Sequence, residues 1–569
     1  MNKLRPFILV LAVVAATVLA AGVFTRPSPQ PLDAEGFSSA RVYEDLKIIA
    51  QEPHSVEHPE ARAKVRDYLF SRLNELGADT TTICTFDTTT ERGYTFVPEN
   101  VYAEFHPQKE LEDTTYIMMI AHYDSRYAQP VLKDTVWSYG AADDGYGLGI
   151  ILETVNQALR SRDQWYQGFK VLFTDAEEVG MKGAYAMFEY HPEVFKNVGM
   201  VINVEARGPY GPALLFEISD GNSELLKLYG KTAKSPATYS LTTVVYKFMT
   251  NFTDFTVVRE KSDIPGLNFS TIADINHYHT DLDNIDNVSQ KSIQHFGAQI
   301  SPLVLKYLTT KEYANKDYFK SEEDSTNFTI PLLGFFNFSK FTYLIINIVL
   351  ALVFIGLFVF EILRGRLDGK RALRNSLNVL LGALTALILG EILAYLCAVI
   401  VGAEFKAFGA VRGISFDNIA MLVMAILMIG ITILLYLRGR KEAHRKSHAS
   451  MRASASYNAL SKYAMNNLMG TLFIMMVLGL VLVFVLGENL MFLIPLSFAT
   501  VAIILWRATN MKFWLLAAIF CTLLHTVSFY FALAMALTIG AVGAILFLAF
   551  FDVVMLIALS DLYLLHKGK

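Results

Sequence analysis

Between residues 341 and 560 the chain runs through seven apolar stretches, near 341–363, 376–402, 415–437, 465–487, 490–506, 513–533 and 538–560. Most match the roughly 20 residues that an α-helix needs to cross a bilayer, so this half is expected to be an all-α membrane bundle of about seven helices. The connections alternate in charge. Arg364, Arg366, Lys370, Arg371 and Arg374 follow the first stretch, and Arg438, Arg440, Lys441, Arg445, Lys446, Arg452 and Lys462 surround the loop near 438–462. Arg507 with Lys512, and the tail Lys567 with Lys569, fall on the same side, whereas the opposite loops hold only Lys406 and Arg412. By the positive-inside rule the basic loops are cytoplasmic. At the other end of the chain, Lys3 and Arg5 precede an apolar run from Pro6 to Phe24. Its length favours an uncleaved anchor, with a signal peptide processed near Leu19–Gly22 as the alternative. Either reading exports the acidic half of the chain and leaves the positive flank in the cytoplasm.

Composition agrees with two environments. Only 18% of the 569 residues are charged, against about 25% in soluble domains. Residues 1–339 hold 30 Lys and Arg against 44 Asp and Glu, while residues 340–569 hold 19 against 9. A single soluble globule and a disordered chain are both excluded. Cysteine is scarce: Cys397 and Cys521 lie in apolar runs and Cys84 stands alone in the acidic half, which excludes a disulfide-stapled domain. The acidic half reads as one globular domain. Val42, Leu46 and Ile49, then Val65, Leu69, Leu73 and Leu76, recur at helical spacing, interrupted at Gln51–Ser55. Strands at Tyr116–Ala121, Phe169–Thr174 and Val198–Val204 alternate with helices at Leu148–Leu159 and Gly183–Tyr190. That order predicts an α/β fold, a mainly parallel sheet covered by helices.

Ligands of such sheets bind beyond the carboxyl ends of the strands, and the polar residues cluster there. His122-Tyr123-Asp124 follows the first strand, and Gly140-Ala141-Ala142-Asp143-Asp144-Gly145 opens the helix after it. Asp175-Ala176-Glu177-Glu178 follows the second strand, and Asn203-Val204-Glu205-Ala206-Arg207-Gly208 closes the third. His277-Tyr278-His279-Thr280 comes after the apolar Ile264–Phe269. Imidazoles and carboxylates without cysteine suit zinc before cobalt or manganese. Two ions close together need one carboxylate able to bridge them, and a further carboxylate outside the coordination sphere to take the proton of a water. Adjacent Glu177 and Glu178 fit a base beside a ligand, and His122-x-Asp124 fits a ligand with the carboxylate that orients its imidazole.

These motifs resemble the co-catalytic zinc aminopeptidase family, and within it the membrane-anchored vacuolar-membrane and endoplasmic-reticulum metallopeptidases. The resemblance covers about Pro53 to Pro302. It rests on Pro53-His54-Ser55, Ala121–Ser125, Gly140–Gly147, Asp175–Gly180, Glu205–Pro212, Asn251–Thr256, and Tyr278-His279-Thr280 with Asp283. It implies a zinc-exopeptidase-like fold with two zinc ions. Asp143 would bridge them, His122 and Glu205 would complete one site, and Glu178 and His279 the other. Glu177 would be the general base and Asp124 the orienter of His122. Two positions depart from the family: Glu205 stands where many relatives have Asp, and Tyr146-Gly147 stands where Ser-Gly is common. Neither removes a ligand.

Taken singly, Asp143 reads as a helix cap and Glu177-Glu178 as a solvated pair; the ordered set turns both towards a metal site. His277 is placed in the surrounding loop, His54 in a turn, and Arg207 in a salt bridge with Glu205 ahead of a substrate carboxylate. Glu391, His525 and Asp552 lie inside apolar spans, where ionisable groups raise proton relay or transport beside simple pairing. The expected organisation is a signal anchor or signal peptide with linker over 1–32, a zinc peptidase domain outside the cytoplasm over 33–320, a linker over 321–340 and the membrane bundle over 341–569. The expected function is a zinc-dependent exopeptidase, most simply an aminopeptidase, with peptide substrates, membrane lipid around the bundle and no nucleic-acid partner. Glutaminyl cyclisation with a single zinc and a non-catalytic peptide-binding or transport protein are the rivals. Oligomeric state is open. The short loops favour a bacterial periplasm over a vacuolar or other lumen.

Overall fold

Tyr116–His122 is buried at every residue, and the side chains divide by the two-residue period of a strand. Ile117, Met119 and Ala121 enter one hydrophobic core, while Met118 and Ile120 enter another on the opposite face. A strand apolar on both sides belongs in the middle of a sheet covered twice, which is where this one lies. The computed structural model describes residues 5–24, 27–109, 114–131, 134–246, 252–411 and 453–565. The expected span at 415–437, the basic residues from 438 to 452, Lys3, Arg26, Arg412, Asn251, Lys567 and Lys569 lie outside the described residues.

The chain divides into two units. One comprises Thr25–Thr329 with Leu333–Lys340, and the other Met1–Phe24, Ile330–Leu332 and Phe341–Lys569. The first is built on a seven-stranded sheet: β1 (Thr80–Thr85), β2 (Glu99–Phe105), β3 (Tyr116–His122), β4 (Gly168–Thr174), β5 (Val198–Ala206), β6 (Leu214–Ile218) and β7 (Gly266–Thr271), in the order β1-β2-β4-β3-β5-β7-β6. The central β4, β3, β5 and β7 run parallel, while β2 and β1 on one side and β6 on the other are antiparallel additions. This is the expected mixed, mainly parallel sheet. The antiparallel edges carry no such signature in the sequence, because short strands beside polar turns lack a long apolar run.

Topology sets the position of the site. The chain leaves β3 for β4 on one side, then returns across β3 to β5 on the other. Loops diverge at that point and leave a crevice beyond the strand ends, with His122 as the last residue of β3. Helix Gly145–Leu159, between β3 and β4, is capped by Asp144, whose carboxylate accepts from the Gly147 N–H at 3.1 Å. It packs with helices Ser39–Ile49 and Gln290–Thr309 in one core, while helices Lys182–Tyr190 and Asp254–Lys261 supply Met187, Phe255 and Val258 to the other.

In the second unit, five helical stretches among the described residues are long and apolar enough to cross a membrane: Lys340–Leu363, Gly369–Val401, Asn458–Leu486, Leu490–Thr509 and Phe513–Leu564. The last turns at Thr538–Ala541, giving helices Phe513–Leu537 and Val542–Leu564. Arg5–Phe24 is a further helix of 20 residues. Lys370, Arg371 and Arg374, expected in a loop, belong to the first turns of helix Gly369–Val401. Asp368 caps it through the Arg371 N–H, so a polar opening extends the apolar span. Glu361 is fully buried and accepts two hydrogen bonds from Arg507, at 3.0 and 2.8 Å. Tyr530 donates to the Asp552 carboxylate at 2.6 Å, and Glu391 lies against Gly543.

At Gly147 close approach demands glycine. A Cβ there would press into the Asp144 carboxylate and stand 2.8 Å from the Ala121 Cβ on β3. Gly147→Ala is therefore expected to destabilise by ~1–3 kcal/mol through overpacking and to lower the thermal midpoint of the protein. An unchanged midpoint would contradict the tight seating of this helix on β3.

Candidate metal centre

Four loops leave the carboxyl ends of the parallel strands and bring their acids and imidazoles together. His122 ends β3, Glu177 and Glu178 follow β4, Glu205 lies near the end of β5, and His279 sits in the loop after β7. Asp143 comes from the turn before helix Gly145–Leu159. Two groups of three donors result, His122–Asp143–Glu205 and Asp143–Glu178–His279, each with its potential ligand atoms within 4.8 Å of one another. Asp143 belongs to both. Its Oδ1 lies 3.3 Å from His122 Nε2, and its Oδ2 lies 3.2 Å from His279 Nε2. His279 Nε2 is also 3.1 Å from Glu178 Oε1, and His122 Nε2 is 3.8 Å from Glu205 Oε2.

The atoms facing the centre fit a cation. Asp143 Oδ2, Glu178 Oε1 and His279 Nε2 are buried and make no hydrogen bond to the described residues. Such atoms are costly to leave unmatched, and together they offer the nitrogen and oxygen donors of a metal site. Backbone geometry supports the same focus. Ala176 and His279 both adopt left-handed φ, at 58° and 61°, each costing ~1–3 kcal/mol for a non-glycine residue.

Around the donors, carboxylates act as anchors. Asp124 meets His122 twice: His122 Nδ1 is 2.9 Å from the Asp124 backbone oxygen and 3.5 Å from its carboxylate. The carboxylate also accepts from the Glu177 and Glu178 backbone N–H groups, at 2.9 and 3.2 Å. Asp124 thus holds His122 through its main chain and the Glu177–Glu178 turn through its side chain. Asp283 does the corresponding work for Asp143. Its buried carboxylate accepts from the Ser138 hydroxyl at 3.0 Å, the Ala142 N–H at 2.7 Å and the Asp143 N–H at 3.3 Å. Tyr146 is buried. Its hydroxyl donates to the Pro209 carbonyl at 2.9 Å and accepts from the Ser289 N–H at 2.7 Å, tying the helix to two neighbouring loops.

The concentration of like charge shifts the acids. Burial, with the Glu205, Glu178 and Asp254 carboxylates beside it, pushes Glu177 well above the usual carboxylate range. Burial and Asp144 do the same to Glu205. Asp283 is pushed up to about 7 by burial and by Asp143. Glu178 goes the other way: burial opposes its charge, but His279 and Arg126 hold its carboxyl well below the ordinary value. Arg126 was not among the expected site residues. Its Nη1 lies 2.6 Å from Glu178 Oε2, the oxygen turned away from His279. The signal for it was a lone cation two residues beyond Asp124. His277 stands apart in the loop, its Nδ1 3.2 Å from Asp274 Oδ2 and its ring edge-on to Tyr210. His54 is buried, its Nδ1 3.0 Å from the Glu52 carbonyl.

Residues 100–304 match Peptidase family M28. Every residue of both donor groups lies within that segment, and the match bears out the resemblance drawn from the motifs. The chain is 29% identical over 216 residues to endoplasmic reticulum metallopeptidase 1 of Rattus norvegicus, covering 37% of this chain and 22% of that protein. It is 27% identical over 346 residues to the vacuolar membrane protease of Schizosaccharomyces pombe, covering 57% of this chain and 38% of that one. The chain therefore spans well under half the length of these relatives. Among solved structures, a Zn-dependent exopeptidase from Parabacteroides distasonis aligns with 48% of this chain and 99% of its own, at 19% identity and a TM-score of 0.39.

Removing the Asp283 carboxylate leaves three buried donors without their acceptor. Each such group costs ~1–3 kcal/mol, so Asp283→Ala is expected to lower the thermal midpoint of the protein clearly. Asp283→Asn, which keeps one acceptor oxygen, should lose less. Equal midpoints for Asp283→Ala and the wild type would show that Asp283 does not hold the Asp143 turn.

Proposed function

We propose that this chain is a membrane-embedded, zinc-dependent exopeptidase that releases N-terminal residues from peptides. The observation that carries the reading is the pair of donor groups sharing Asp143, with Glu177 beside Glu178 at the edge of the crevice. The match of residues 100–304 to Peptidase family M28 supports peptide-bond hydrolysis. An all-nitrogen-and-oxygen donor set without cysteine suits zinc. The preference for chain ends rests on the family resemblance, since the ligands alone specify only metal-assisted amide hydrolysis.

In this reading Asp143, His122 and Glu205 would hold one zinc ion, and Asp143, Glu178 and His279 would hold a second. Zinc held there supplies Lewis acidity to a water and to the scissile carbonyl. The remaining work belongs to the chain. Glu177, not needed as a ligand, takes the proton of the attacking water and passes it to the departing amine. Asp124 fixes Glu177 and Glu178 by their backbone N–H groups, and Arg126 occupies the outer oxygen of Glu178 so that Oε1 remains for the metal.

In the same reading the globular unit, about 33–320 with its linker, stands outside the cytoplasm. The basic residues Arg364, Arg366, Lys370, Arg371 and Arg374 lie on the opposite side of the first span from Lys340. The apolar helices then serve as an anchor in lipid.

Two measurements on the purified full-length protein test the proposal. Zinc content should reach two ions per chain, one for each donor group, and chelation should abolish hydrolysis of aminoacyl-nitroanilides. Glu177→Gln should retain both ions while turnover falls by ~10²–10⁴-fold or more. Full activity in that variant would remove Glu177 from the base role. One zinc per chain with cyclisation of N-terminal glutamine would replace the peptidase reading.

A further inference from the structure

Asn203, Asn268 and Glu217 stand side by side across three neighbouring strands. Asn203 on β5 is the register partner of Asn268 on β7, which is the register partner of Glu217 on β6. All three are buried, with no more than 3% of their surface exposed. They lie under helix Asp254–Lys261, on the face where Val201 meets Phe255 and Val258. Apolar residues would be the simple choice for such a position, so a row of two amides and a carboxylate requires a reason.

The hydrogen bonds of this row run in one direction only. An ionised carboxylate accepts and cannot donate. Glu217 Oε1 accepts from Arg259 Nη1 at 2.7 Å, and Oε2 accepts from Asn268 Nδ2 at 2.9 Å. The Asn268 amide is thereby oriented with its oxygen towards Asn203, whose Nδ2 donates to it at 3.0 Å. Asn203 must turn its NH2 inward to do so, and the same nitrogen reaches Glu205 Oε1 at 3.3 Å. The Asn203 oxygen is left buried without a hydrogen-bond partner among the described residues. Its orientation is therefore imposed by its neighbours, against the cost of leaving an acceptor unmatched.

We infer that Glu217, Asn268 and Asn203 are positioning residues: a directional relay that presents a donor to Glu205 Oε1, so that Oε2 is the oxygen committed to the metal. The inference rests on the proposed two-zinc site. Glu205 Oε2 is the atom that faces His122 Nε2. Without the donor on Oε1 the carboxylate can rotate, and either oxygen competes for the same ion. The anchor of the relay, Arg259, stands on helix Asp254–Lys261, which opens with the Thr253-Asp254-Phe255-Thr256 motif. Asn268 Nδ2 also donates to Thr253 Oγ1 at 3.1 Å, and the Thr174 hydroxyl at the end of β4 donates to Asp254. That motif, to which the proposed reaction assigns no direct role, is thereby tied to the metal ligand two strands away.

The relay is tested by zinc titration of the full-length protein, stripped by chelation and titrated against a chromophoric chelator. The wild type should show two affinities. Glu217→Met keeps the volume but removes the acceptor that sets the direction. One of the two zinc affinities should weaken by about tenfold or more, the usual scale for losing a partner of a metal ligand, while the other is unchanged. Glu217→Gln keeps one acceptor oxygen; with that oxygen turned to Asn268 and Arg259 shifted onto Asp220, which already lies 3.4 Å from it, the direction is preserved and both wild-type affinities should be kept. Asn203→Leu removes the donor to Glu205 directly and should reproduce the one-site loss, which keeps the test decisive if Glu217→Met does not fold. Unchanged affinities in Asn203→Leu, parallel weakening of both sites, or identical behaviour of Glu217→Gln and Glu217→Met would overturn the relay. A wild-type protein that takes up no zinc would overturn the proposed function itself, and the relay with it.

Discussion

Asp143 carries the electrostatic problem around which the globular unit is organised. One carboxylate faces two imidazoles, with Glu178 and Glu205 completing the two groups and Glu177 beside them. Like charges about 4 Å apart repel by ~4 kcal/mol even at an effective dielectric of 20. Such a gathering persists only if the surroundings hold each acid in place and a cation balances the charge. The upward shifts of Glu177, Glu205 and Asp283 come first from burial and then from that repulsion, while Glu178, facing His279 and Arg126, is held below its ordinary value.

The fold meets this constraint by using backbone as scaffold. A change of direction in the strand order opens a crevice at the tip of β3, and loops from four parallel strands converge there. Two carboxylates, Asp124 and Asp283, then bind backbone N–H groups of other loops and fix the Glu177–Glu178 and Ala142–Asp143 turns. Backbone donors have almost no freedom of their own, so they transmit the rigidity of the sheet to the two donor groups. The row from Arg259 through Glu217, Asn268 and Asn203 reaches Glu205 by side chains, because Glu205 lies within the sheet, where its backbone is engaged with neighbouring strands.

The second unit obeys a different solvent. Its helices are apolar on most faces, and its ionisable residues find partners inside the unit: Glu361 with Arg507 and Arg366, and Asp552 with Tyr530. Burying an unpaired charge would cost far more than these pairs return, so pairing is a sufficient account of Glu361.

Much of this was written in local pattern. The continuous apolar run of β3, the helical spacing of Val42, Leu46 and Ile49, and the polar clusters just past each strand are properties of neighbouring residues. They determined a helix-covered parallel sheet, the kinds of donor at its edge and the apolar spans of the second half. What local pattern did not contain was partnership. Asp124 was expected to orient His122 with its carboxylate, and nothing local announced that the same carboxylate binds N–H groups more than 50 residues away. Arg126, Ser138 and Glu217 likewise gain their roles from residues 52, 145 and 51 positions distant. Strand register and loop closure decide which atoms meet, and a hydrogen bond is sensitive to a few tenths of an ångström. The sequence by itself therefore determined which chemistry could be assembled. Only the tertiary structure decided which oxygen of each acid faces its partner and which distant groups hold it there.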